Sequence, residues 1–377
     1  MDLSLNAEQE ALQESFRRLF SNECSTSLVR DLQANPDGDH ISSLWSSLAE
    51  VGLFGLALPE DFGGYGSLFD LGLAFMEAGR VLCPTPVYST VAFGQALHRF
   101  GSAAQKQQWL PGVAAGAMVG SVALSNPSDA SDVSPRLIAR YEDGGWRLSG
   151  ALEFVANADL ASAVVISAQV DAAEPPTTLV CIVDGDHPDC RIERMQTFGR
   201  DVQCVMTFDG VAVDPARLIY VEPAERLSGE LHAFSNAMTA LQAMEMIGGA
   251  QAVLDRTVEY VIGRTQFDRP LASFQAVQHH VANMHIAIEG ARLAAYQAAW
   301  LTSQGRLAER EVALAKQRCG EAYKFATLTA HQLHGGMGYM REFDLHLWSE
   351  RAKASELLGG PAAVQSRRLE RAMSLVG

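Results

Sequence analysis

Arg264-Thr265-Gln266-Phe267-Asp268-Arg269-Pro270-Leu271-Ala272-Ser273-Phe274-Gln275 separates two long stretches of helical character, and its reading decides the fold. Leu231 to Gly263 precede it and Gln275 to Ser303 follow it, both with apolar residues at helical period. A third such stretch runs from Ala308 to Leu333, and a shorter helix is expected after Asp344. Long helices joined by short connectors are the pattern of an antiparallel four-helix bundle.

Upstream, between Ser121 and Val221, the period changes. β-prone runs at Trp146 to Leu148, Ala163 to Ser167, Thr178 to Val183 and Cys204 to Phe208 are parted by turn chemistry such as Asp143-Gly144-Gly145 and Asp184-Gly185-Asp186. This reads as a small β domain. Further upstream the pattern is helical again. Asn6 and Gln9 have capping-box spacing, Leu12, Phe16, Leu19 and Phe20 form one apolar face, and Ile41 to Val51, Leu68 to Val81 and Gln105 to Leu110 continue the theme. The expectation is an α+β chain: a helical N-terminal domain over 1–120, a middle β domain over 121–224 and a C-terminal bundle over 225–377.

The 377 residues carry a net charge of −15 without any basic block, which argues against nucleic acid or an anionic membrane as partner. An anionic ligand would therefore need a local basic patch. The six cysteines are scattered and fit reduced thiols, and no Cys-x-x-Cys pair or acidic neighbour to the histidines suggests a metal site. His331 and His334, and the adjacent His279 and His280, are expected to line the bundle or a cofactor edge. Met1 to Gln9 lacks a basic and then apolar leader, so a cytoplasmic location is expected. There is no glycine-rich phosphate loop after a strand.

Several stretches stand out together: Ser125-Asn-Pro-Ser-Asp-Ala-Ser131-Asp132, the Arg264 to Gln275 connector and Gln332-Leu-His-Gly-Gly-Met-Gly338, with Leu58 to Gly64 and Phe208 to Val213 as punctuation. Each is weak alone. In this order, from about Leu5 to Arg371, the chain resembles the acyl-CoA dehydrogenase flavoproteins.

That resemblance implies FAD as cofactor and an acyl-CoA as substrate. In the family, an Arg-x-x-Phe and a Gln-x-x-Gly-Gly of one subunit hold the adenosine and pyrophosphate half of an FAD whose flavin lies in the neighbouring subunit. Carried over by position, the adenosine-side set is Arg264, Gln266, Phe267, Gln275, Gln332, Gly335 and Gly336. A guanidinium offers a charge-assisted fork to phosphate, and glycines let backbone N–H groups approach an anion. Asp268 departs from the family, where Gly is common. On the flavin side the family's Thr and Trp-x-Thr positions read Ser125, Ser131, Phe154 and Ala156. Ser125 and Ser131 keep hydroxyls and Phe154 an aromatic face, whereas Ala156 has lost its donor.

The family reaction abstracts an α proton from a thioester, which calls for a positioned carboxylate. Most relatives place that Glu in a turn that registers here on Leu358-Gly359-Gly360-Pro361, so Gly359 stands at the base position. Others place it on the first bundle helix, where the family spacing lands on Met238, with Thr239 at a position that often carries Arg. Two carboxylates are left. Glu245 lies on the same helix face as Met238, two turns or roughly 10 Å away, and is either a displaced base or structurally paired. Glu356, beside the break, reads as an ordinary solvated carboxylate.

The leading expectation is a subunit that lacks the catalytic Glu and works with a homologous catalytic chain, in a heterotetramer like those of bacterial steroid side-chain oxidation. A homo-oligomeric dehydrogenase using Glu245, and a non-catalytic binding or regulatory homologue, are the alternatives. The lost Glu and Thr239 hint at a wide substrate.

Overall fold

A computed structural model of the chain describes residues 4–35, 41–199 and 201–374. Six helices come first: α1 (Ala7–Glu23), α2 (Thr26–Ala34), α3 (Ser42–Glu50), α4 (Leu68–Arg80), α5 (Thr85–Phe100) and α6 (Ala103–Ala114). Eight strands follow: β1 (Gly120–Ala123), β2 (Leu137–Glu142), β3 (Gly145–Ala156), β4 (Ala163–Val170), β5 (Thr177–Asp184), β6 (Cys190–Met195), β7 (Gln203–Val213) and β8 (Leu218–Pro223). Then come α7 (Ala224–Gly263), the hairpin β9 (Thr265–Gln266) and β10 (Arg269–Pro270), α8 (Gln275–Ser303), α9 (Glu309–His334), α10 (Leu345–Leu357) and α11 (Ala362–Ser374). The helical, β, helical order is the α+β architecture the sequence pattern anticipates. Among the described residues no helix is long and apolar enough to cross a membrane.

The local signals are realised as chemistry. Gln9 N donates to Asn6 Oδ1 at 2.9 Å and Asn6 N to Gln9 Oε1 at 3.2 Å, which closes the capping box of α1, whose Phe16 and Phe20 are buried. Asp143 and Gly144 both take positive φ, at 52° and 82°, and join β2 to β3 with Glu142 paired to Gly145. That is the two-residue turn whose twist suits a hairpin.

The chain gathers into two compact units. One holds α3, α5, α6, the whole β1–β8 sheet and the start of α7 as far as Met238; the other holds α1, α4 and everything from Thr239 onward. In the sheet-bearing unit the strand order is β6-β7-β3-β2-β4-β5-β8, with β1 parallel to β4. Six consecutive residues of β4, Ala163–Ala168, and six of β5, Thr178–Val183, are buried, so both faces of the sheet centre are covered, whereas edge strand β6 has no buried residue. Leu137, Leu148, Ile166, Leu179 and Val211 are fully buried there, each contributing about 1.5–3 kcal/mol.

In the helical unit α4 and the second half of α7 meet backbone to backbone. A Cβ on Gly79 would stand 1.9 Å from Glu245 O and one on Gly248 1.8 Å from Met76 O, so neither position takes a side chain. This crossing fixes the rotation of α7 and hence where Glu245 points. Helices α10 and α11, on either side of the Gly359-Gly360-Pro361 break, both pack on α9.

Candidate functional site

Helix α7 ends at Gly263, and the Arg264 N–H still bonds Tyr260 O at 2.8 Å before the chain turns. Gln266 pairs with Arg269 and Thr265 with Pro270 in the β9–β10 hairpin, while Phe267 and Asp268 at its tip have φ of 55° and 65°. Two consecutive left-handed residues make a tight turn in which Gly is easiest and Asp tolerable. The Asp268 departure is thus a turn residue accommodated by its backbone. Phe267 is 84% exposed and meets Phe274 edge-on at 6.0 Å, and Arg269 lies 4.0 Å over the Phe274 ring.

Gln275 opens α8, and the preceding Phe274 supplies no side-chain cap. The first N–H groups of this 29-residue helix are left for another acceptor, at the positive end of its dipole. Exposed His279 and His280 follow in the next turn. Gln332 is exposed near the end of α9, and Gly335, with φ of 59°, begins the short helical turn Gly335–Tyr339. Among the described residues no hydrogen bond or ion pair engages the side chains of Arg264, Gln275 or Gln332. The Gln266 amide differs: its Nε2 donates to Thr265 O at 2.9 Å within the hairpin.

The Ser125 to Asp132 loop of the other unit is built differently. Asn126, Asp129 and Asp132 each accept a backbone N–H two residues on, from Ser128, Ser131 and Ser134, at 2.9, 3.0 and 3.1 Å. The Ser131 hydroxyl donates to Asp129 Oδ1 at 2.6 Å, so its one proton is already placed. Asn126 Nδ2 donates to Asp132 Oδ2 at 3.0 Å; burial alone would raise the Asp132 pKa, but bonds from Asn126 and Ser134 outweigh it and hold it below the ordinary carboxylate value. From α7, Ser235 Oγ donates to Ala130 O at 2.6 Å, and the His232 Nε2 lies 2.9 Å from Ser131 O. Ser125 is exposed at the loop mouth. Phe154, 42% exposed, sits at positive φ in a β3–β7 register shift, and Ala156 O takes the Ser121 hydroxyl.

Neither position expected to carry the base holds a carboxylate. Gly359 and Gly360 have φ of 75° and 105°, and Gln365 Nε2 donates to both their carbonyls, at 3.1 and 2.9 Å. Gln365 is in turn held by Arg368, whose Nε donates to Glu309 Oε1 at 2.8 Å; Gln365 and Arg368 are wholly buried. Met238 is buried with its carbonyl accepting from Tyr88 Oη at 2.7 Å, and Thr239 is buried beside it in sequence. Glu245 pairs with Arg351 at 2.9 Å, and Arg351 also donates to Cys83 O. Glu356 corrects the solvated expectation. Its side chain is 11% exposed and bridges Lys353 at 3.0 Å and Lys324 at 3.4 Å; burial alone would raise its pKa, but the two lysines hold it low.

The paired histidines of α9 pack in aromatic stacks. His331 stacks on Tyr339 at 4.9 Å and shares a hydrogen with Ser349 Oγ at 2.7 Å, while His334 stacks on Tyr260 at 4.1 Å. Among the described residues no cluster of His, Cys, Asp or Glu could hold a metal ion. Sequence reading missed Lys316, a buried lysine of α9 whose Nζ donates to Ser355 O; burial pushes its pKa down to about 7. The only sequence signal was a lysine on the buried face of α9.

Residues 6–117 match the N-terminal domain and residues 234–374 the C-terminal domain of acyl-CoA dehydrogenases. Acyl-CoA dehydrogenase IpdE2 of Mycolicibacterium smegmatis is 30% identical, over 97% of this chain and 99% of its own. The ChsE4-ChsE5 complex from Mycobacterium tuberculosis has a chain of TM-score 0.87 and 27% identity, covering 99% of each. A variant of the Tcur3481-Tcur3483 steroid ACAD has TM-score 0.85 and 29% identity, covering 98% of each. The chain belongs to the acyl-CoA dehydrogenase family, FAD-dependent oxidoreductases.

Proposed function

We propose that this chain is the non-catalytic subunit of a heteromeric acyl-CoA dehydrogenase that desaturates a CoA thioester between its α and β carbons. It would hold the adenosine half of an FAD whose flavin sits in a homologous, base-carrying partner. The observation that carries this reading is the lack of a carboxylate at the two positions where the family places its base: Gly359 and Met238 stand there, and Glu245, the nearest candidate on the Met238 helix, is tied to Arg351.

The nucleotide fits one half of the family site and not the other. The unengaged Arg264 fork, the Gln275 and Gln332 amides and the uncapped start of α8 suit a pyrophosphate and adenosine, with Arg264 supplying the local positive charge that a chain of net charge −15 needs there. Flavin-side donors are fewer, because the Ser131 proton goes to Asp129 and Ala156 has none to give, which leaves the exposed Ser125 hydroxyl. A flavin oxygen facing such a pocket would lose about 1–3 kcal/mol per unpaired group. Bound FAD supplies the hydride acceptor; the proton acceptor comes from the partner. Two solved relatives described as paired chains, ChsE4-ChsE5 and Tcur3481-Tcur3483, lend support, and the second suggests a bulky acyl group such as a steroid side chain.

Co-purification with a co-expressed homologous dehydrogenase chain tests the reading. The expected product is a yellow heterotetramer holding about one FAD for every two chains, with the isolated chain colourless and inert. Stoichiometric FAD and thioester desaturation by the isolated chain would overturn it. A homologue that neither binds the chain nor changes flavin content would favour the regulatory alternative.

A further inference from the structure

The proposed nucleotide clasp has two parts that are far apart in sequence: Arg264 and Gln275 at the hairpin, and Gln332 with Gly335 and Gly336 at the end of α9. We propose that Tyr260 and His334 form a positioning pair that locks these two parts into one rigid grip. This rests on the adenosine-side reading above.

Four contacts carry it. Tyr260 O accepts the Arg264 N–H at 2.8 Å, so the tyrosine backbone sets where the arginine leaves α7. Its ring lies on the His334 imidazole at 4.1 Å and 24°, and its hydroxyl donates to His334 O at 3.3 Å. His334 immediately precedes Gly335, and its Nδ1, 2.8 Å from Ala330 O, donates to that carbonyl and fixes the ring along α9. Phe343 closes the group, 6.1 Å from the Tyr260 ring and 5.1 Å from that of His334.

The imidazole is 3% exposed, and its Nε2 has no hydrogen-bond partner among the described residues. That side of the ring is therefore held by aromatic packing and not by a polar network. A phenyl ring, which lacks both nitrogens, should keep the stack and lose only the Nδ1 bond to Ala330 O, whereas a methyl should keep neither. Small displacements matter at such a site, because a fork and an amide must reach one anion together.

The test measures FAD affinity, by flavin fluorescence titration, of the assembly with the co-purified homologue. His334→Ala is expected to weaken binding about twofold to tenfold, and His334→Phe to restore most of it. In an Arg264→Ala background His334→Ala should lose much of its effect, because a grip already missing one side has less alignment to forfeit. The melting temperature of the FAD-free variants separates misfolding from misalignment, and Tyr260→Phe, which removes only the hydroxyl bond, provides a gentler probe expected to show a smaller loss. Equal losses from His334→Ala in both backgrounds, or none in either, would overturn the positioning pair while leaving the clasp intact. An Arg264→Ala variant that binds FAD as the native chain does would overturn the clasp reading itself.

Discussion

Two polar regions of this chain have the same raw material and opposite states. The Ser125 to Asp132 loop turns its Asn126, Asp129 and Asp132 side chains and the Ser131 hydroxyl on itself, through three successive Asx turns and the Ser131 to Asp129 bond. The Arg264 to Gln275 connector leaves its principal side chains unengaged on the surface. A closed network stabilises a loop and has little left to offer a ligand; an open one costs little to keep in water and is ready for an anion. Under the proposed function, this contrast is one half of a cofactor site kept and the other turned into scaffold.

The sharpest way to break the comparison is Arg264→Ala. Loss of a charge-assisted fork to phosphate should cost about 1.5–3 kcal/mol, roughly tenfold to a hundredfold in FAD affinity of the assembly. Flavin retention on desalting would show it, and unchanged retention would erase the distinction between the regions. Glu245→Gln comes next. It breaks a partly buried ion pair and should lower chain stability by about 1–3 kcal/mol in urea unfolding while leaving turnover of the assembly intact. Lost turnover with stability preserved would revive Glu245 as a base.

On the closed side, Ser131→Ala should lower stability by about 1 kcal/mol and leave FAD affinity untouched. A weaker flavin complex from this variant would mean that the hydroxyl serves the cofactor after all.

The last test concerns pH. Lys316 titrates near 7 when folded and near 10.5 when unfolded, so between those values the unfolded chain binds the extra proton. Its penalty is full below pH 7 and fades as pH rises toward 10.5. The melting temperature of the native chain should therefore gain on that of Lys316→Met from pH 7 to pH 10; parallel curves would show the lysine to be solvated.

What was legible in the sequence follows from which forces are local. Helix α8 spans the expected Gln275–Ser303, and the Asn6 capping box and the Asp143-Gly144 turn sit where short-range chemistry puts them. Helix α5 gave no one-sided signal because Val87, Val91, Phe93, Ala96 and Leu97 leave it buried around most of its circumference. Motifs nominate the site residues, and spacing nominates the positions expected to carry the base. Neither gives their state. Glu245 finds Arg351 across 106 positions, and the network of Asp129 with Ser131 depends on a loop conformation that no period encodes.

The Gly359-Gly360 break bears on whether this chain could regain a base of its own. An acid at 359 would have to live at a φ of 75°, and Gln365, anchored by buried Arg368, grips the adjoining carbonyls. Left-handed backbone costs a side-chain-bearing residue about 1–2 kcal/mol before any contact is rearranged. On the proposed function, reversion by one codon would meet a turn fitted to glycine, and the proposed dependence on a companion chain would then be a ratchet written into the main chain.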